Sequence, residues 1–326
     1  MSGNPLAWVI GRGGLLGRNV ELASMGTDHW RPSRVFSWED ASAALGALNS
    51  ETDAFLVRAR RVDAPWRLFW CAGAGVVATS PAALAEETAV AAGFAAHLAK
   101  QLAVDLPLAR RGTIFLASSA GGVYAGSPVR PPFDEESPVG AIAPYGHAKL
   151  AQEEQFTRAA EACGVDLVLG RLSNLYGPGQ NLSKPQGLVA HVGKAALRHQ
   201  PISIYVPLDT IRDYLFVTDA ARMVVDAVER REAERRAGAA RTTVTKIFAS
   251  EVETTVASVL GTWRRLLRRP LRIALASDPV GSVQPRTLAF RSRVWPDLRG
   301  VPLPFHLGVD AVRRDQLQRL LAAGLD

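Results

Sequence analysis

At 326 residues the chain is long enough for one large domain or a core domain with a smaller lobe, and its 48% hydrophobic content with few aromatics describes an ordinary globular core. No early apolar run of signal-peptide type is present, and no apolar stretch reaches the roughly 20 residues that a bilayer span needs, so a cytoplasmic protein without membrane contact is expected. The formal charge of +7 points to anionic company, which a small phosphorylated ligand satisfies at least as well as nucleic acid.

Leu6 to Ile10 is a short apolar run that ends in Gly11-Arg-Gly-Gly14-Leu15-Leu16-Gly17, and a segment containing Ala and Leu follows to Ser24. Strand, glycine turn and helix form the context in which a glycine fingerprint has a physical meaning. Gly11, Gly14 and Gly17 allow a tight turn, close backbone approach to a pyrophosphate and close helix–strand packing. Leu15 and Leu16 open the helix whose N-terminus then faces the phosphates. A carboxylate about twenty residues further on commonly binds the ribose of NAD. Here that region reads Asp28-His-Trp-Arg31-Pro-Ser-Arg34, without a clear carboxylate at a strand end. Arg12, with Arg31 or Arg34, offers guanidinium groups to a 2′-phosphate instead, so the cofactor expected is NAD or NADP, with a lean to NADP.

Glu39-Asp40 starts an alanine-rich helix, and Trp66 to Cys71 is the next apolar strand. Ala72 and Gly73 follow it, small enough for a cofactor to lie close to the backbone. Cys71 and Cys163 are the two cysteines; they make no disulfide framework and no metal site, and free thiols are expected. Ser80-Pro81 caps a long helix from about Ala82 to Leu106, and the strand Thr113 to Leu116 delivers Ser118 and Ser119. Pro144 opens a further helix, ended by Gly164, on which Tyr145 and Lys149 are four residues apart and share a face. A phenol beside an ammonium is a usable proton donor and acceptor, because the positive charge favours phenolate. A hydroxyl from Ser118 or Ser119 beside the pair could hold a substrate alcohol or carbonyl. Val165 to Leu169 is another buried strand. Strands alternating with helices predict an α/β fold with a doubly wound parallel sheet of the Rossmann type.

Five blocks, in order, carry a resemblance: Gly11-x-x-Gly14-x-x-Gly17, Ser118-Ser119-x-x-x-Val-Tyr124, Tyr145-x-x-x-Lys149, Arg171-Leu-Ser-Asn174-Leu-Tyr-Gly-Pro-Gly179 and Arg212-Asp-Tyr-Leu-Phe-Val-Thr-Asp219. The pattern resembles the extended short-chain dehydrogenase/reductase family, in its branch of nucleotide-sugar epimerases, dehydratases and reductases. The resemblance implies that Tyr145 is the general acid/base and that Lys149 binds the nicotinamide ribose. It implies substrate contacts for Tyr124, Asn174 and Arg212, the last at the diphosphate, and for Arg286 as a second phosphate-binding arginine. It also implies a homodimer through the alanine-rich helix and the Tyr145 helix.

Two departures qualify it. The third catalytic hydroxyl of the family usually lies three residues before the Val-Tyr pair, where this chain has Ala120; Ser119, Ser118 or a water is left to fill that role. Gly121-Gly122 stand where the dehydratases carry an Asp-Glu pair, which speaks against 4,6-dehydration.

Asp219 is expected to cap a helix from Ala220 to Glu232. Arg230-Arg231 and Arg235-Arg236 alternate with Glu229, Glu232 and Glu234 and read as a solvated helix face. The domain division expected is residues 1–174 for NAD(P) binding and 175–326 mainly for a substrate lobe, with about 202–232 returning to the core. The function expected is hydride transfer at C4 of a nucleotide-linked sugar, as a 4-epimerase or a 4-ketoreductase. The alternatives are a catalytically silent NAD(P)-binding sensor or scaffold and a nucleic-acid-binding protein on the same fold.

Overall fold

The computed structural model describes residues 3–33, 36, 38–62, 64–73, 75–76, 78–183, 186–240, 243–275 and 284–323. Every residue of Leu6–Ile10 (β1), Trp66–Trp70 (β3) and Asp166–Leu172 (β5) is buried, the mark of strands covered on both faces. With Asp28–His29 (β2), Gly112–Ser119 (β4) and Thr243–Phe248 (β9) they form, among the described residues, a parallel sheet in the order β2-β1-β3-β4-β5-β9. The strand order reverses between β1 and β3. In open α/β sheets that switch point opens a crevice at the carboxyl ends of the strands, where ligands bind.

Helices cover both faces. On one side lie Ala41–Arg61 (α2), Pro81–Ala103 (α3) and Pro144–Cys163 (α6), around a core that includes Trp8, Phe55, Trp70, Phe94 and Phe156. Trp70 and Phe94 have ring centroids 4.7 Å apart, and each large apolar side chain so buried contributes about 1.5–3 kcal/mol. On the other side Leu15–Ala23 (α1) and Val217–Arg236 (α8) close over Val9, Phe69, Phe115 and Phe248. Local signals set the boundaries. Asp40 and Ser80 accept from the backbone amides of Ala43 and Ala83, and Gly164 ends α6 with φ +71°.

A lobe has its own core of Tyr176, Val189, Tyr214, Trp263 and Val309. It is built from Asn174–Tyr176 (β6), Leu188–Leu197 (α7), Ile202–Ile204 (β7), Ile211–Phe216 (β8), Glu253–Thr255 (β10), Val256–Leu267 (α9), Ile273–Leu275 (β11), Thr287–Leu288 (β12) and Phe305–Ala323 (α10). The short helices Leu106–Ala109 (α4) and Ala120–Tyr124 (α5) complete the elements named below. β8 is the lobe's axis: β10 pairs with it antiparallel, while β6 and β12 pair with it parallel. Beyond β8 the chain continues into α8, and β9 pairs with β5 in the six-stranded sheet.

Two readings of α8 change. The helix begins at Val217, two residues before Asp219, whose carboxylate accepts from the amide of Leu303 rather than capping the helix. Two charges of the run, Arg231 and Glu232, are buried. Glu232 takes a two-pronged hydrogen bond from Arg67 of β3, at 2.9 Å on each arm, and Arg231 and Arg235 both reach the fully buried Asp166 of β5. The reason is geometric: α8 lies across strands that present charged residues inward, so matched ions hold it there. The alternating signs concealed which charges were paired.

Candidate active site

Gly11 closes β1 with φ +87°, and a β-carbon on it would stand 2.6 Å from the amide nitrogen of Ala72. Only glycine lets the two strand ends meet there. A β-carbon on Gly17 would run into the carbonyl oxygen of Gly11, so that glycine seats α1 against the loop. Gly14 stands before the helix without a side-chain cap, which leaves first-turn N–H groups for an anion. This backbone forms one wall of a cavity of about 440 Å³ at the sheet's switch point, shared with Ala72, Gly73, Trp38, Thr79 and Glu87.

Arg12 and Arg31 converge beside the loop, both on the carboxylate of Glu21. Partial burial, and then the like charge of Arg12, lower the pKa of Arg31. Arg34 lies outside the described residues. Leu16 packs inward as part of the α1 face, and Leu15 opens the helix.

Gly73 connects the cavity to the Tyr145 helix. A β-carbon on it would stand 3.4 Å from Lys149 Nζ and 3.1 Å from Glu87 Oε1. Lys149 is buried, donates to Gln152 Oε1 at 3.0 Å, and has its ammonium 5.8 Å from the centre of the Tyr145 ring. Helix α6 can lie this low because Gly146 rests on the carbonyl of Gly122, where a β-carbon would clash.

The two serines part company. The position of a β-carbon on Gly122 is 3.2 Å from Tyr145 Cδ1 and Cε1 and 3.3 Å from Ser119 Oγ, so Ser119 and Tyr145 border the same spot. Ser119 Oγ accepts from the amide of Gly122, which leaves its own proton for a substrate oxygen. Ser118 instead donates to Glu153 at 2.5 Å in a buried network. That network also takes in Tyr124: its hydroxyl accepts from Arg171 at 2.6 Å, its ring stacks on Phe133, and it is fully buried. Burial raises the Tyr124 pKa against the pull of Arg171. Burial lowers Arg171, but the hydrogen bond and charge of Glu153 outweigh it and raise the net value. Ser118 and Tyr124 thus face the protein interior.

Asn174, Arg212 and Arg286 come together on the lobe's small sheet. Asn174 is the register partner of Tyr214 and donates to Asp213 O, and Arg212 donates to the carbonyls of Ile211 and Arg286 and to Gln284 Oε1. Burial lowers the Arg212 pKa. Arg286 is exposed and pairs with Asp209. Leu288, the register partner of Arg212, lies 3.7 Å from where a β-carbon on Gly121 would stand. Through Leu288, β12 therefore reaches α5, the short helix that borders Tyr145.

A model of the NAD dependent epimerase/dehydratase family matches residues 51–239, more than half of the chain. The chain belongs to that family. The UDP-glucose 4-epimerase of Mycolicibacterium smegmatis is 34% identical over 113 residues, which are 35% of this chain and 34% of that protein. The similarity to such curated relatives thus spans about a third of their length. The solved UDP-glucose 4-epimerase of Thermotoga maritima, with UDP-glucose, superposes with TM-score 0.77 over 98% of this chain and 100% of that one at 19% identity. RMD from Pseudomonas aeruginosa, complexed with NADPH, gives 0.73 over 97% and 100% at 18% identity. At such identities the likeness speaks for the fold.

Trp38, Glu86 and Glu87 line this cavity and Gln152 accepts from Lys149, yet no sequence motif singled them out. Gln152 carries a local signal, three residues after Lys149 on one helix face. Among the described residues no cluster of three or more His, Cys, Asp or Glu is arranged to hold a metal ion, and no helix is long and apolar enough to cross a membrane.

Proposed function

We propose that the protein is a nicotinamide-dependent oxidoreductase acting on a nucleotide-linked sugar, with hydride transfer at C4 through a 4-keto sugar. The observation that carries this reading is Gly73, which lines the glycine-loop cavity and also adjoins the Lys149 ammonium. The dinucleotide supplies the hydride acceptor or donor. The N-terminus of α1 and the glycine loop hold its pyrophosphate, and Ala72, Gly73 and Lys149 border its nicotinamide end. Tyr145 takes the proton from the sugar hydroxyl on oxidation and returns it on reduction, beside the Lys149 ammonium. Ser119 donates to the same sugar oxygen. Arg212 and Arg286 grip the diphosphate and Asn174 contacts the substrate beside them.

Of the two net outcomes, the 4-ketoreductase is favoured by the Arg12–Arg31 pair, two guanidinium groups where a 2′-phosphate of NADP would lie. A 4-epimerase that keeps its NAD is the second reading, supported by the names of the relatives. Gly121 and Gly122 bring no acid for 4,6-dehydration. A homodimer packs through the outward faces of α3 and α6, and light scattering reads it directly.

Mass spectrometry of the nucleotide that co-purifies, before and after dialysis, tests the reading. An emptied site that binds NADPH ahead of NADH supports the reductase. NAD that survives dialysis supports the epimerase, and a protein that binds neither refutes both.

A further inference from the structure

Glu87 is a carboxylate set against the lysine of the proposed site. Its side chain is 21% exposed, its Oε2 accepts from the amide of Gly75 at 2.8 Å, and its Oε1 lies 3.4 Å from Gln152 Nε2 and 3.8 Å from Lys149 Nζ. It also lines the cavity beside Gly73, with Glu86 on the same wall. The ammonium of Lys149 therefore does not act alone on that end of the cavity. It acts as half of an ion pair, fixed by a backbone amide and a bridging glutamine.

We propose that Glu87 sets how the site divides its affinity between the oxidised and reduced forms of the nicotinamide dinucleotide, favouring the oxidised form. This rests on the dinucleotide reading above. The two forms share phosphates, riboses and adenine, and differ in one positive charge on the nicotinamide ring. Lys149 alone would repel that charge and bias the site toward the reduced form. The carboxylate of Glu87 cancels that bias, so its contribution enters the ratio of the two affinities while the shared contacts drop out. Of the two carboxylates on this wall, Glu87 is the one whose oxygen lies within ion-pair range of the Lys149 ammonium. A site so balanced can release either form, as an enzyme that exchanges its cofactor must.

The test is the dissociation constant of each form for the native protein and for Glu87→Gln, with NADPH and NADH followed by their fluorescence and NADP⁺ and NAD⁺ by calorimetry. Removing the charge is expected to weaken the oxidised form relative to the reduced one by roughly three- to tenfold, from one unit charge at an effective dielectric of about 20–40. A folded Glu87→Gln whose ratio stays within about twofold of the native value overturns the inference. Gln152→Glu, which adds a carboxylate to the same ammonium, is expected to move the ratio in the opposite direction. Should Glu87→Gln fail to fold, an unmoved ratio in Gln152→Glu overturns it equally. A native protein that binds neither form refutes the dinucleotide reading itself, whereas binding with an unmoved ratio refutes only the role of Glu87.

Discussion

Arg171 Nη2 stands 2.7 Å from Glu153 Oε2, and the two side chains are only 10% and 7% exposed. The pair ties α6, which carries Tyr145 and Lys149, to β5, the strand between β4 and the edge strand β9. Ser118 and Tyr124 complete its hydrogen bonds, so neither ion is left unsatisfied. Removing one partner leaves a buried guanidinium without its counter-charge, which typically costs about 3–5 kcal/mol. Glu153→Ala should lose stability on that scale in urea unfolding. A loss below about 1 kcal/mol would show that the pair is not what anchors α6.

Tyr145 is half-buried and borders Ser119 across Gly122, outside the buried network. Tyr145→Phe removes one hydroxyl and leaves the ring packing against Gly122. Turnover of a nucleotide-linked 4-keto sugar should fall about 10²- to 10⁴-fold while dinucleotide affinity stays within a few-fold. Equal loss of binding and turnover would mean that the tyrosine holds the cofactor instead of moving a proton.

Trp38 is 46% exposed at the cavity, where Ala41, Ala44 and Ala83 present small side chains. A planar base fits such a slot, and stacking on an aromatic ring is worth about 1–3 kcal/mol. Trp38→Ala should weaken NADPH and 2′,5′-ADP alike by about tenfold or more and leave nicotinamide mononucleotide unaffected. Uniform affinity across native and variant proteins would place the base elsewhere.

Lys246 is fully buried on β9, and burial lowers its pKa to about 8 against the raising charges of Glu135, Glu251 and Asp297. A lysine of the unfolded chain titrates near 10.4. Between these values the unfolded chain binds the extra proton, so the contribution of Lys246 to stability rises as pH climbs from about 8 to about 10.4 and is constant below. Relative to Lys246→Met, the native protein should gain up to about 3 kcal/mol across that window. A flat difference in pH-dependent denaturant melts would contradict the lowered value.

Strands β1, β3, β4 and β5 of the sheet were legible because they are short apolar runs with local boundary signals, whereas β2 and β9 were not read. The glycine loop and the Tyr145–Lys149 pair were legible for the same reason, since spacing along one turn or one helix determines them. What stayed hidden depends on elements far apart in the chain. Nothing near Ser118 announces that Glu153 will accept its hydrogen bond. The charges of α8 look solvated until β3 and β5 supply Arg67 and Asp166. Glu87 reads as one more surface residue of an alanine-rich helix until α6 brings Lys149 against it.

The last quarter of the chain is threaded into the neighbourhood of Tyr145. β12 lies alongside the start of β8, Phe290 bridges to Phe133, and Glu135 accepts from the amide of Arg293 and the hydroxyl of Ser292. A nascent chain that has emerged only past α6 already owns its glycine loop, tyrosine and lysine, but not the strand that stands beside Arg212. The order of synthesis therefore makes the glycine loop, Tyr145 and Lys149 before the strands that carry Arg212 and Arg286.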